Sequence, residues 1–364
     1  MELEELLKQI QELDKIAMEQ SVTRWNSIAK PIGSLGKLEH IITQITGIKR
    51  DAKDLNLEKK ALVIFCADHG VVKEGVTQTG AYVTRIVSEN FAKGNSTVNT
   101  MAKVANVDVY PIDMGMDVEP YPNKELRTTQ VIDRKINRGT KNIAKESAMT
   151  IKQCRAAIIA GVQVVRDLKE MGYGLIATGE MGIGNTTPTS ALAAVFLNQS
   201  AKQVTGKGAG LSKDKYEHKI SVIEGIIKRY YDREDQATIL DTLADIGGYE
   251  IAGMVGAFLG GAIYGIPILI DGVISCVAAL AAYQIEPKVK KYMIATHESR
   301  EPASRLLLQA LDMEPILQGD MRLGEGTGAI AAIPVITMAA AVYEEMGTFL
   351  DHAIEKYHNY DEGE

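Results

Sequence analysis

Cysteine, aromatic side chains and excess positive charge are all scarce in this sequence. Only 3 of its 364 residues are cysteine, and aromatic residues amount to 5%. Cys66, Cys154 and Cys276 are odd in number and lie far apart in apolar stretches, which predicts reduced, buried thiols of a cytoplasmic protein and excludes a disulfide framework. The 40 basic and 47 acidic residues give a net charge of −7, and no basic block carries interleaved aromatics, so we expect no nucleic-acid partner.

Signals for metals, covalent nucleophiles and membranes are also missing. The 6 histidines form no pair at ligand spacing with a third ligand, and no GxSxG motif is present, so we expect no metal, no cofactor and no covalent intermediate. Residues 251–270 carry no charge and are long enough to resemble a membrane span. Glycines and Pro267 interrupt this stretch, which favours a packed helix to Tyr264, a turn at Gly265 and a buried strand, with no membrane partner.

Short apolar runs alternate with helical patterns along the chain. The runs occupy residues 61–67, 107–112, 174–178, 267–270, 292–295 and 315–317, and the main helical patterns occupy residues 83–103, 147–171, 216–231 and 301–311. This alternation predicts an α/β fold with a parallel Rossmann-like sheet flanked by helices. Each run leads into a polar or glycine-bearing turn or loop, so these segments are expected to share the carboxyl edge of the sheet, where ligands bind.

Both ends of the chain show helical patterns without strands. Leucines and isoleucines recur at helical spacing in residues 3–16, which predicts an amphipathic surface helix. We expect residues 1–55 and 335–364 to form a small helical domain, or a dimer contact. Residues 56–334 are then the large α/β catalytic domain.

Glu325 stands among Gly324, Gly326 and Gly328, directly before an apolar helical stretch at residues 329–343. Glycines permit positive φ and a close approach of the backbone to a ligand, and the N-terminus of the following helix favours an anion. A carboxylate in such a site, next to apolar walls, can have its pKa raised into the range of a general base. A capping or turn glutamate is the alternative interpretation.

Two further glycine-rich segments have the character of phosphate-binding loops. Residues 178–188 lie between an apolar run and a helix. They do not match the phosphate loop of nucleotide triphosphatases, because Asn185 stands where that loop has a lysine. They do not match the dinucleotide-binding fingerprint either, because Thr187 stands where its third glycine should be. Residues 205–210 combine a lysine with several backbone N–H groups, and Lys219 lies in the next helix, which suits a monophosphate. The alternative for residues 178–188 is a structural tight turn, and the alternative for residues 205–210 is a flexible solvated loop.

Taken together, these motifs resemble the nicotinate-nucleotide:dimethylbenzimidazole phosphoribosyltransferase family. The resemblance runs nearly end to end, and its most specific motifs lie at residues 30–36, 67–71, 179–186, 270–272, Ser299, 301–302 and 322–326. It implies transfer of the phosphoribosyl group of nicotinate mononucleotide to an aromatic base, with release of nicotinate and formation of the α-ribotide used in cobamide synthesis. It also implies a parallel sheet capped by a smaller domain, and assembly as dimers.

The resemblance further implies roles for individual residues. Glu325 falls on the catalytic base, and Glu180 and Asp271 are candidates for stabilising positive charge on the ribose. The residues expected to bind the nucleotide, its ribose and its phosphate are Glu180, Gly182, Gly184, Asn185, Thr186, Gly206, Lys207, Gly208, Lys219, Asp271 and Ser299. The residues expected in the acceptor pocket are Thr79, Tyr82, Ile86, Met181 and Leu323.

The sequence departs from the family where the acceptor should bind. The family has a glutamine in a Val-Thr-x-Gln-Met pattern, and Ile86 stands at that position here. Residues 75–82 also lack the family's Ser-x-x-Pro-Gln segment. A phenol has one oxygen to satisfy, and a glutamine amide opposite its plain ring would be left unpaired. We therefore expect an altered acceptor range that includes phenol or p-cresol, as in the related phenol-activating heterodimers.

Two other functions stay open. One is a non-catalytic or partner-dependent subunit of a phenol-activating heterodimer, which the altered pocket favours and the presence of Glu325 opposes. The other is a magnesium-dependent phosphoribosyltransferase with a diphosphate donor; the apolar run ending at Asp271 supports it weakly, because Gly272 follows where a second acid is needed. The partner in a dimer could be an identical chain or a related one.

Overall fold

A six-stranded sheet with parallel pairing throughout forms the centre of the protein. The computed structural model describes residues 2–208, 210–232 and 237–357. The strands are β1 (Lys60–Ala67), β2 (Asp108–Gly115), β3 (Ile132–Asp133), β4 (Leu175–Met181), β5 (Ile268–Ile270) and β6 (Met293–Ala295). Their order across the sheet is β3-β2-β1-β4-β5-β6, so the predicted α/β class is confirmed. Within this sheet, the short edge strand β3 was not predicted.

Helices cover this sheet. The α-helices in the described part of the chain are α1 (Leu3–Leu7), α2 (Lys15–Ser27), α3 (Lys37–Lys49), α4 (Tyr82–Lys93), α5 (Thr97–Ala105), α6 (Ile151–Glu170), α7 (Thr186–Leu197), α8 (Ala201–Val204), α9 (Lys213–Tyr231), α10 (Ile239–Ile246), α11 (Tyr249–Tyr264), α12 (Val273–Ile285), α13 (Ala303–Ala310) and α14 (Thr327–Glu345). Short 3₁₀ helices lie at Gly70–Glu74 and Pro287–Tyr292.

Both faces of the sheet are buried. Along β1, Val63 and Phe65 belong to a core shared with α6, α11 and α12, whereas Leu62 and Ile64 belong to a second core shared with α3, α5 and α14. Every residue of β1 is buried. A central strand with two buried faces needs apolar residues throughout, which is why it appears in the sequence as an unbroken apolar run.

Two segments that were each predicted as one continuous helix are interrupted in the structure. The helix predicted over residues 83–103 is two helices, α4 and α5. Gly94 has a φ of 76° and ends α4, and the Ser96 hydroxyl accepts a hydrogen bond from the Asn99 N–H to begin α5. The helix predicted over residues 3–16 is likewise interrupted between α1 and α2.

The strand predicted at residues 315–317 is not part of the central sheet. It corresponds to β8 (Leu317–Gln318), which pairs with β7 (His297–Glu298) in a separate two-stranded sheet. The chain leaves β6 and forms β7 at once, so the new pairing continues beyond the carboxyl edge of the main sheet. β7 and β8 therefore lie close to the predicted ligand-binding edge.

The uncharged stretch at residues 251–270 folds as predicted. It contains most of α11, a turn at Gly265 with a φ of 66°, and β5. Within the described residues, one helix, α14, is long and apolar enough to cross a membrane, and 56% of its apolar window is buried inside the protein. The core helix of a folded protein passes the same test, so this is weak evidence of a membrane span.

The two ends of the chain pack against each other. The Arg24 side chain of α2 donates to the carbonyl oxygens of Tyr343 (3.0 Å) and Met346 (2.7 Å). The Trp25 and Tyr343 rings lie 5.1 Å apart between centroids. Helix α14 crosses the boundary expected at residue 335, and residues 1 and 358–364 of the predicted small domain lie outside the described residues. The division into domains stays a prediction.

Candidate active site

A cavity of about 310 Å³ opens at the carboxyl ends of β4 and β5. The strand order reverses between β1 and β4, and this reversal creates a crevice in which open α/β sheets bind ligands. The predicted site residues that line the cavity are Thr79, Glu180, Met181, Gly182, Gly184, Asn185, Thr186, Lys207, Gly208, Lys219, Asp271, Ser299, Leu323 and Glu325. Its volume suits a small-molecule ligand.

Glu325 is held in an unusual backbone conformation. It has a φ of 62°, between Gly324 at 79° and Gly326 at 87°. A residue with a side chain adopts this left-handed region at a cost of about 1 kcal/mol, so surrounding contacts must hold it there. The flanking positions suit glycine because both of them also have positive φ.

Asp271 supplies one of these contacts. Its Oδ2 accepts a hydrogen bond from the Gly326 N–H (3.1 Å), and its Oδ1 accepts from the Ala329 N–H (3.0 Å). The carboxylate therefore anchors the first turn of α14 and the end of the Glu325 loop together. Its negative charge also lies at the positive end of that helix. The Asp271 side chain that was expected to act on the ribose has both oxygens engaged by the backbone.

His297 supports the same turn from the other side. Its ring packs so closely against Gly328 that a Cβ atom there would overlap Nδ1. Nδ1 also lies 3.9 Å from Asp271 Oδ1. The first turn of α14 is thus fixed between a carboxylate and an imidazole.

Two carboxyl groups of the cavity are shifted toward the neutral range. Burial, reinforced by the nearby Asp271 charge, raises the pKa of Glu325 to about 7. Burial raises the pKa of Glu180 to about 8, and a hydrogen bond from the Asn185 amide to Glu180 Oε2 opposes this rise. At pH 7 a useful fraction of Glu325 is ionised, whereas Glu180 is mostly protonated. Glu325 therefore has the properties of a general base.

A lysine, a hydroxyl and a glycine loop converge at the other end of the cavity. Lys219 Nζ donates to Thr186 Oγ1 at 2.7 Å, and a Cβ atom at Gly208 would lie 3.6 Å from Nζ. Burial lowers the pKa of Lys219 to about 8. We call Thr186, Gly208 and Lys219 the anion cradle. Nearby, the buried Ser299 hydroxyl has no hydrogen-bond partner within the described residues, as expected of a group that binds a ligand.

The Gly182 loop is supported from below by a buried pair. His69 Nε2 and Glu250 Oε1 lie 2.8 Å apart, and the two side chains are 1% and 0% exposed. A Cβ atom at Gly182 would come within 3.2 Å of the same His69 nitrogen. His69 therefore lies between Glu250 and the Gly182 loop, where it can orient that loop.

Three predicted site residues do not line the cavity. Gly206 lies beneath the Glu301 carboxylate. Tyr82 and Ile86 lie on α4 and are 69% and 50% exposed. Their neighbour Val87 lines a second, open cavity of about 470 Å³ that also reaches Glu325.

Sequence reasoning assigned no role to three ionisable residues that the fold brings to the cavity, namely His297, Glu301 and Arg322. Arg322 belongs to the glycine-rich segment around Glu325 and Glu301 to the 301–302 motif, but neither motif indicates which distant residues these side chains meet. His297 follows β6 in the same way that Asp271 follows β5. That position at the carboxyl end of a strand was the signal that could have identified it.

Comparison with known proteins places this site in a family. A family model described as phosphoribosyltransferase matches residues 10–354. The chain belongs to this family. It is similar to the nicotinate-nucleotide–dimethylbenzimidazole phosphoribosyltransferases of Acetivibrio thermocellus, with 43% identity over 96% of this chain and 97% of the relative, and of Ruminiclostridium cellulolyticum, with 42% identity over 98% and 99%.

A solved structure agrees with this assignment. The crystal structure of CobT from Thermus thermophilus is 33% identical and superposes with a TM-score of 0.86, covering 94% of this chain and 100% of that chain. The resemblance inferred from the motifs is confirmed, and so is the enzyme class: the chain is a pentosyl-transferring glycosyltransferase.

Proposed function

We propose that this chain transfers the phosphoribosyl group of nicotinate mononucleotide to an aromatic lower-ligand base, which gives nicotinate and the α-ribotide for cobamide synthesis. The observation that carries the proposal is Glu325, a carboxyl group with a pKa of about 7, fixed at the meeting point of two cavities. The names of the relatives support this donor and dimethylbenzimidazole as the acceptor. These names do not favour a non-catalytic subunit or an enzyme that uses a diphosphate donor.

The nucleotide binds in the 310 Å³ cavity at the carboxyl ends of β4 and β5. The anion cradle holds the phosphate through the Lys219 ammonium and the N–H groups of the glycine loop. The unpartnered Ser299 hydroxyl and the Gly182 to Asn185 loop contact the ribose. The pyridinium ring of the donor is cationic, so it favours ionisation of Glu180 beside it and lowers the pKa of that carboxyl group.

The acceptor approaches Glu325. Its nitrogen attacks C1′ of the ribose, and the C1′–N bond to the pyridinium breaks with its electron pair going to the ring nitrogen. Nicotinate leaves as a neutral pyridine ring and needs no acid. The acceptor's N–H proton passes to Glu325, and attack from the opposite face converts the β-nucleotide into the α-ribotide.

A wider acceptor range is a second proposal. Ile86 carries no hydrogen-bonding group and immediately precedes Val87, which lines the cavity beside Glu325. With Val87 in the lining and no glutamine amide at position 86, this cavity accepts the plain ring of phenol or p-cresol as readily as that of a benzimidazole. Competition between dimethylbenzimidazole and phenol tests this; a clear preference for dimethylbenzimidazole would reject it.

The assembly and location of the protein are proposals of the same kind. We propose a dimer, formed with an identical chain or a related subunit, because the Tyr82 and Ile86 side chains of α4 are exposed next to the site. The free, buried thiols of Cys66, Cys154 and Cys276 fit a cytoplasmic enzyme.

The test is turnover of nicotinate mononucleotide by the purified chain, with dimethylbenzimidazole and phenol offered separately. Wild type is compared with Glu325→Gln and with Glu314→Gln, an exposed carboxylate outside the cavity. Release of nicotinate that collapses only in Glu325→Gln supports the transfer and the base together. A folded wild-type protein that releases no nicotinate with either acceptor would contradict the proposal for the chain alone.

A further inference from the structure

A hydrogen bond joins the Gly182 loop (residues 182–185) to helix α4. The Ile183 N–H donates to the Thr84 hydroxyl oxygen, Oγ1, at 3.0 Å. Thr84 is fully buried, whereas Ile183 lines the 310 Å³ cavity together with Gly182 and Gly184. Val87, one turn further along α4, lines the second cavity, which reaches Glu325. The bond therefore connects a wall of the first cavity to the helix that borders the second.

Two close backbone approaches set how near this loop lies to the sheet. A Cβ atom at Gly182 would come within 2.5 Å of the Ala67 carbonyl oxygen, at the end of β1. A Cβ atom at Gly184 would come within 2.8 Å of Val72 Cγ2, in the 3₁₀ helix that follows β1. Packing of this kind has no preferred direction, whereas a hydrogen bond weakens steeply away from its preferred angle. The Thr84 hydroxyl therefore fixes the orientation of the peptide group at Ile183.

Loss of the Thr84 hydroxyl would leave the Ile183 N–H without this acceptor. The bond is partly buried, and an unpaired peptide group in such a position is costly. The loop would then shift until water reaches the N–H, and a ligand would have to restore the original conformation at the expense of its own affinity. The same loop carries Asn185, whose amide donates to Glu180 Oε2, so the shift also reaches that carboxyl group.

We propose that Thr84 is a positioning residue for the donor: its hydroxyl holds the Gly182 loop in the conformation that binds nicotinate mononucleotide. This inference rests on the proposed function in taking the nucleotide as the ligand of the loop. Thr84 acts through the Ile183 backbone, and its bond also sets the spacing between the donor loop and the helix beside Glu325. One buried hydroxyl thus links the binding site of the donor to the acceptor side.

The first test measures binding of nicotinate mononucleotide to the full-length chain by titration calorimetry. Thr84→Val keeps the shape of the side chain but has no acceptor oxygen, and it should weaken binding on the order of tenfold. Thr84→Ser keeps the hydroxyl and should bind like wild type. Ser88→Ala is the matched control, because the buried Ser88 hydroxyl donates to the Thr84 carbonyl oxygen within the same helix. A merely structural role would lower the melting temperature of Thr84→Val without changing its affinity for the nucleotide, and that result would overturn the proposal.

Hydrogen exchange examines the loop without any ligand. Residue-resolved mass spectrometry should show slow exchange of the Ile183 amide in wild type, and exchange at least about tenfold faster in Thr84→Val. Thr84→Ser and Ser88→Ala should resemble wild type. An Ile183 amide that exchanges in wild type as fast as an unprotected amide would reject the proposal even if no variant folds.

The two measurements separate this inference from the proposed function. A wild-type chain that does not bind nicotinate mononucleotide rejects the proposed function, and the same result rejects Thr84 as a donor-positioning residue only if the exchange of Ile183 is also unaltered in Thr84→Val. A wild-type chain that binds and turns over the nucleotide, with unaltered affinity and exchange in Thr84→Val, rejects this inference alone.

Discussion

Gly179 of β4 lies directly beneath the backbone of Glu325: a Cβ atom at Gly179 would come within 2.7 Å of the Glu325 carbonyl oxygen and 2.8 Å of its carbonyl carbon. Real Cβ atoms do not approach backbone this closely. The Glu325 loop can therefore rest on the sheet only because the strand has no side chain at this point.

Gly179→Ala should lower kcat by at least about tenfold, because it pushes the Glu325 loop away from its position and small displacements of a catalytic group are costly. We also expect a loss of about 1–3 kcal/mol in the free energy of unfolding. Steady-state kinetics and denaturant unfolding measure the two effects. The matched control is Gly225→Ala in α9, where a Cβ meets nothing within 4 Å and should stabilise the helix by about 0.5–1 kcal/mol. Equal kinetics in both variants would contradict the packing argument.

Glu325→Gln removes the proposed base but keeps the shape of the side chain. We expect kcat to fall by about 10² to 10⁴-fold, with little change in the KM for the nucleotide, because the proton is transferred only in the transition state. Initial rates at saturating acceptor measure this. A kcat within about threefold of wild type would show that another group accepts the proton.

The pH dependence of kcat/KM should have two limbs. Activity rises with pH through about 7, because Glu325 must be ionised to accept a proton. It falls again through about 8, because Lys219 loses the charge that binds phosphate. Lys219→Arg, which keeps its charge at all these pH values, should move the alkaline limb upward and leave the acid limb in place. An alkaline limb that does not move would show that it does not arise from Lys219.

Lys219→Met should raise the KM for nicotinate mononucleotide by about 10 to 100-fold, since a buried charge-assisted contact to phosphate is lost. The riboside that lacks the phosphate should be affected far less. Lys228→Met, an exposed lysine on the same helix, is the matched control. Equal losses for nucleotide and riboside would place the lysine away from the phosphate.

Asp271→Ala should reduce both stability and activity. The loss of its hydrogen bonds to the Gly326 and Ala329 N–H groups should cost about 1–3 kcal/mol in the free energy of unfolding and free the Glu325 loop. Asp271→Asn, which keeps one acceptor oxygen, should lie between wild type and Asp271→Ala. Thermal unfolding and kcat, measured on the same samples, should fall in that order. An Asn variant as stable as wild type but inactive would instead support a charge role at the ribose.

The elements that were predicted from the sequence are those with a continuous local signal. The run at residues 61–67 is apolar throughout because β1 is buried on both faces, and this predicted the strand. The break between α4 and α5 was missed although Gly94 and Ser96 mark it, since apolar spacing on both sides concealed the caps. The two-residue strands β7 and β8 have no periodic pattern at all, and only tertiary pairing defines them.

The site was predictable to the extent that it consists of loops. The glycine-rich segments around Gly182 and Glu325 were identifiable, because positions with positive φ favour glycine and such positions are visible in the sequence. The contact between Glu301 and Gly206 joins residues far apart in sequence, and no spacing rule indicates it. Likewise, both oxygens of Asp271 are engaged by α14, a fact that depends on how the helix docks rather than on the residue type.

The arrangement of the cavity walls has a consequence for how this enzyme can diverge. The loops after β4 and β5 line the cavity proposed to hold the donor, whereas α4 borders Glu325 from a separate segment of the chain. We therefore propose that substitutions along α4, at positions other than Thr84, change the preferred aromatic acceptor without altering the residues that line the nucleotide cavity.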